Sequence, residues 1–341
     1  MLVLSRLQSL SAAAAIALLA GCSGSSSSAV APKPASLKGD AYFLTGPVSS
    51  ALSPFASSRS LPYRDVLYVS DPNDSRVDIY PLNTDNPAPI GEFSSGLETP
   101  TGMALDASHN LYVANNTDNV NASHLKDVPY FVSVFEPGKA NPSASYWKDL
   151  RHPTDVVVGS DGTVYVASLG DGYVTEYPPG SMTPSQHFSP PSGSAFAVAL
   201  DAQNDLYVAC TNSNAVFEFP PGSTQGTNLG LVLGGEPHGM AFDSHGNLLV
   251  AVSMAPNSGS KVDVFPPGST KPSAQIGGVF QPFMIDLDQS ERHLYVADFG
   301  SGNHDGAVFE FSYPAGKLIG KYSQGAASVA YGIAVNPPAP L

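Results

Sequence analysis

A short strand is written six times along this chain: Leu67-Tyr68-Val69-Ser70, Leu111-Tyr112-Val113-Ala114, Val164-Tyr165-Val166-Ala167, Leu206-Tyr207-Val208-Ala209, Leu248-Leu249-Val250-Ala251 and Leu294-Tyr295-Val296-Ala297. The second residues of successive copies are 44, 53, 42, 42 and 46 positions apart. Self-similarity at a period of 40 to 50 residues marks an array of supersecondary units. Each unit packs on its neighbours, so the array needs no single large core.

Each copy is one strand of several. Ahead of it lies a second apolar segment, as in Thr101-Gly102-Met103-Ala104-Leu105-Asp106 and His238-Gly239-Met240-Ala241-Phe242-Asp243. A polar turn joins the two, such as Ser108-His109-Asn110 or His245-Gly246-Asn247, made of residues that tolerate left-handed conformations. A third segment places an aromatic three residues after a Val (Val132 to Phe135, Val216 to Phe219) and runs in three units into Pro-Pro-Gly-Ser. Pro then Gly suits a type II turn. A weaker fourth segment follows, as at Gln275-Ile276. Four short strands per repeat is a propeller blade. The expected fold class is all-β, a six-bladed β-propeller over residues 61–338.

The ends of the array do not match. The strand at 67 has no complete inner segment before it, while Tyr331-Gly332-Ile333-Ala334-Val335-Asn336 is an inner segment with no partner after it. Residues 329–336 are therefore expected to supply the innermost strand of the first blade, which closes the ring and removes its open edges.

Residues 1–21 have the form of an export signal. Arg6 gives the positive start, and the nine-residue apolar run Ala12 to Ala20 is too short to span a bilayer. Leu19-Ala20-Gly21-Cys22 resembles the bacterial lipobox, which implies lipidation of Cys22 by acyl chains that hold the protein on a membrane. Ser23 follows, not Asp, which favours an outer membrane in a Gram-negative envelope. Residues 22–60, rich in Ser, Ala and Pro, read as a tether. With Cys22 lipidated, Cys210 has no partner and reads as a buried small hydrophobe. The net charge of −14 disfavours nucleic acid as a partner.

The repeat resembles the six-bladed propellers of the NHL, SMP-30/gluconolactonase and streptogramin-lyase group, through the inner-strand pattern Pro-x-Gly-Met/Ile-Ala-x-Asp, the Gly/Asn turn and Leu-Tyr-Val-Ala. The resemblance implies a ligand over the central channel, at a mouth framed by the starts of the inner strands. Just after the usual proline the six copies read Thr101, Thr154, Phe196, His238, Phe283 and Tyr331. Gluconolactonase-type members hold their cation there with Asp and Asn, which this ring lacks, so no metal or other cofactor is expected. Asp155 and Asp286 stand where the other copies carry small or apolar residues, and an unpaired buried carboxylate is costly.

Asp155, His238, Phe283, Tyr331 and Asp286 are thus the expected ligand contacts at the channel mouth. Acidic, amide and aromatic groups together suit a sugar, a peptide or a protein. No phosphate loop, CxxC, HExxH or G-x-S-x-G occurs. The expected role is binding or scaffolding on a lipid-anchored propeller outside the cytoplasm. The rival is a hydrolase or lyase of the SMP-30 or streptogramin-lyase type with a rebuilt site.

Overall fold

The computed structural model describes residues 60–337 apart from 83, 117–129, 255–258, 301–305 and 325–328. Cys22, the signal segment and the tether up to residue 59 lie outside the described residues.

Six four-stranded antiparallel sheets form the fold. Their inner strands are Pro100–Leu105, Pro153–Val158, Ala197–Leu200, Glu236–Phe242, Pro282–Leu287 and, for the first blade, Ile333–Asn336. Each inner strand lies against the next, and the sixth against the C-terminal strand, so the ring is closed. The C-terminal strand pairs with the first repeat strand, Val66 opposite Asn336 through Val69 opposite Ile333. Closure at the first blade is as the sequence predicts.

The repeated Leu-Tyr-Val-Ala strand is second from the axis, with neighbouring sheets on both faces. Its Val and Ala are therefore fully enclosed in blades two to six. This double burial explains an apolar run where a half-exposed strand would alternate. In the Pro-Pro-Gly-Ser turns, the Ser181, Ser223 and Ser269 amides donate to the carbonyls of Pro178, Pro220 and Pro266, each at 2.9 Å. Gly180, Gly222 and Gly268 take φ of 71° to 74°, the type II geometry that the sequence implies.

The inner strands of blades two, three, five and six shift register just after their proline. Proline lacks the N–H a regular ladder would use, so a bulge accommodates it. The glycine that follows it in several blades serves close approach. A Cβ on Gly239 would lie 2.6 Å from the Met284 Cα of the next inner strand. The small residue lets adjacent blades meet backbone to backbone near the axis.

Candidate functional site

The six residues at this level of the inner strands, four of them directly after a proline, are all buried, none more than 9% exposed. The aromatic members stack on one another. Ring centroids are 4.8 Å apart for Phe196 and His238, 4.6 Å for His238 and Phe283, and 4.7 Å for Phe283 and Tyr331. Phe299 lies 5.0 Å from Phe283, and Leu169 and Met254 pack on the same cluster.

The polar members tie each blade to the next. Thr101 Oγ1 donates to the Pro153 carbonyl at 3.0 Å, and Thr154 Oγ1 to the Phe196 carbonyl at 2.5 Å. His238 Nδ1 lies 2.9 Å from the Pro282 carbonyl. A carbonyl only accepts, so Nδ1 carries the proton. Burial pushes the imidazole down to about 4, more than the bond to Pro282 raises it, so His238 is neutral at physiological pH.

His238, Phe283 and Tyr331 were expected at an open mouth. The structure buries them against one another as a floor to the channel, outside the lining of the cavity beyond it.

Beyond that floor the channel widens into a cavity of about 1420 Å³. It opens at the opposite end, among the turns that leave the inner strands, where Asp106, His109, Ser160, Gln203, His245 and Gln289 line it. A side extension runs between blades four and five, past Glu218 and Asn228. Sequence reasoning missed this end. The signal was there in the small residues Ala104, Ala199 and Ala241, which line the cavity without filling it.

Asp155 and Asp286 belong to this cavity and not to the floor cluster. Asp155 Oδ2 accepts the Val198 N–H at 3.0 Å. Asp286 Oδ2 accepts the Val335 N–H at 2.8 Å, and its Oδ1 the Leu287 N–H at 2.8 Å. The Val198 and Val335 bonds fasten one blade to the next. Burial raises both carboxyls to about 7, against the smaller opposing effect of the N–H bonds, and Asp288 adds to the rise at Asp286.

A pH dependence follows from these shifts. Both folded values lie above the unfolded value near 3.9. The folded state therefore binds protons more strongly, and the stability so gained is complete below about pH 4 and lost as pH rises through about 7. Each group contributes a slope of at most about 1.4 kcal/mol per pH unit; Asp286, which is half-buried, contributes less. Thermal melts of the Asp155→Asn/Asp286→Asn double variant between about pH 5 and 8 should be flatter than the parent's. Parallel curves would refute the assignment.

Most other acids near the channel are occupied by the fold. The aspartate that ends the inner strand holds its own turn. Asp243 Oδ1 accepts the His245 and Asn247 amides, and its Oδ2 the Asn247 side chain and the Tyr313 hydroxyl. Burial raises this carboxyl, yet those bonds outweigh it and leave its pKa below the ordinary value. Asp106 and Asp201 do the same in their blades.

On the floor side, Asp298 accepts the Phe280, Gln281 and Gly300 amides, and Asp71 pairs with Arg76. Among the described residues no group of three or more His, Cys, Asp or Glu could hold a metal ion. Cys210 is buried, and burial raises its thiol to about 11.

No protein-family model matches the chain, and no curated protein matches its sequence. Solved structures do match. One is a chain from the crystal structure of a nidogen/laminin complex, with 14% identity and a TM-score of 0.60 over 79% of this chain and 97% of that one. Another is a protein of unknown function from Bacteroides caccae, with 15% identity and a TM-score of 0.58 over 80% and 98%. A third is a streptogramin B lyase, with 11% identity and a TM-score of 0.55 over 82% and 88%. At such identities the likeness is one of fold. The chain is a six-bladed β-propeller whose first blade is closed by its C-terminal strand.

Proposed function

We propose that the protein is a binding propeller, held by a lipid on Cys22 at the extracytoplasmic side of the cell envelope, with its ligand seated in the central channel. The observation that carries this reading is the cavity of about 1420 Å³ along the axis of the ring, with Met103, Met240, Met284 and Ile333 in its deep wall. Pockets that bury small ligands are concave, mostly apolar and set with few polar groups, and this one is of that kind.

Binding is favoured over catalysis because His238 and Cys210 lie outside the lining of the cavity, the imidazole held against the Pro282 carbonyl and the thiol buried. The likeness to a chain of a nidogen/laminin complex fits a propeller used for recognition. A hydrolase or lyase reading draws instead on the fold shared with the streptogramin B lyase and on two carboxyls that hold protons near neutral pH. Turnover would require one of them to act as acid or base.

The membrane address rests on the nine-residue apolar run that ends in Leu19-Ala20-Gly21-Cys22. Several acyl chains on one cysteine give durable attachment, at about 0.8 kcal/mol per buried CH₂. Cys22→Ala is expected to move the protein out of the membrane fraction and to remove metabolic fatty-acid labelling. Labelling that persists in the variant refutes the anchor.

A further inference from the structure

Deep in the channel the wall is made of Met103, Val156, Val198, Met240, Met284 and Ile333. Two carboxyl groups break this apolar lining. Asp155 stands in blade three and Asp286 in blade six, three blades apart and so on opposite sides of the ring. A carboxylate offers about four acceptor positions. Asp286 accepts the Leu287 and Val335 N–H groups and Asp155 those of Val198 and Val156, so each keeps about two of its four acceptor positions for a donor brought from the cavity.

We propose that the channel takes an organic cation, a ligand with an apolar body and an ammonium group that donates to Asp155, Asp286 or both. This rests on the reading of the channel as the binding site. The apolar wall favours a hydrocarbon body over a polar one, because its methionines and branched side chains offer no hydrogen bonds to a buried polar group. Methionine also adapts to irregular shapes.

The sign of the charge follows from the acids. Two carboxyls in the wall, Asp106 and Glu218 nearer the opening, and a net charge of −14 repel an anion and draw a cation inward. A hard metal ion wants six or more oxygen ligands. Among the described residues no metal-binding cluster exists, so the cation that fits here is organic. An ammonium beside either carboxyl favours its charged form, so the ligand would displace the proton that burial holds there. The cavity exceeds the usual range of about 300 to 1,000 Å³ for ligand pockets, which leaves room for a bulky body and water.

Three probes of one shape separate the possibilities: 4-phenylbutylamine, 4-phenylbutan-1-ol and 4-phenylbutyrate, titrated calorimetrically into purified full-length protein near neutral pH. The amine is expected to bind at least about tenfold tighter than the alcohol, a difference of about 1.4 kcal/mol, with the carboxylate weakest. The Asp155→Asn/Asp286→Asn double variant should bring the amine to the level of the alcohol while leaving the alcohol unchanged. Its melting curve shows whether the variant is folded, and Asp286→Asn alone serves if the double variant is not.

Equal affinity for amine and alcohol, or an amine preference that survives in a folded variant, overturns the cation assignment but leaves the channel as a site. Failure of all three probes to bind overturns the cation assignment and removes support for the channel as well.

Discussion

Deleting residues 329–341 is expected to destroy the folded ring. The deletion removes Ile333–Asn336, four buried residues that form the innermost strand of the first blade. It also removes Tyr331 from its packing on Phe283 and Phe299. Val335 loses its bond to Asp286, and Asn336 its contacts with His109 and the Tyr63 carbonyl.

Truncating a single large core side chain costs about 2 to 5 kcal/mol. The loss of Tyr331, Ile333 and Val335 together therefore reaches the whole stability of an ordinary domain, about 5 to 15 kcal/mol. The open edge left on the first blade adds exposed backbone groups that invite pairing with other chains. The truncated protein should accumulate in the insoluble fraction or melt more than about 10 °C below the parent. A soluble variant that melts with the parent would contradict closure of the ring by the C-terminus.

Closure was legible in the sequence because it is a matter of counting. Six marker strands and an unmatched inner segment at Tyr331 leave one economical pairing, and period and turn chemistry agree with it. The site was less legible, for a reason of volume. Phe196, His238, Phe283 and Tyr331 sit at strand starts, where a ring of aromatic side chains can either line an opening or fill it. Which occurs depends on the channel's width at that level. That width is set by how closely the blades approach, and so by contacts such as Gly239 against Met284.

The reverse holds one and three positions further along the inner strand. There Ala104, Ala199 and Ala241 are too short to fill the axis, and Asp155 and Asp286 line the cavity beside them. The two aspartates were visible as departures from the repeat. Their separation from His238 required the third dimension.

The repeated aspartates at the ends of the inner strands teach a related lesson. Asp106, Asp201 and Asp243 line the opening and look like a ring of ligand carboxylates. Each spends its oxygens on the amides of its own turn, as Asp residues do in tight turns. Their recurrence reflects a turn made again in each blade.

The most direct test of the account is to fill the cavity from within. Ala241 lines it and is half-buried, so a tryptophan at that position projects into the space a ligand would occupy. Ser213 is exposed beyond the floor, at the other end of the channel, and serves as the control. Binding of 4-phenylbutylamine should be lost in Ala241→Trp, at least about a tenfold fall in affinity, while Ser213→Trp binds as the parent does and both variants melt close to it. A folded Ala241→Trp that binds as the parent does, or loss of binding in Ser213→Trp alone, would contradict a ligand in the channel.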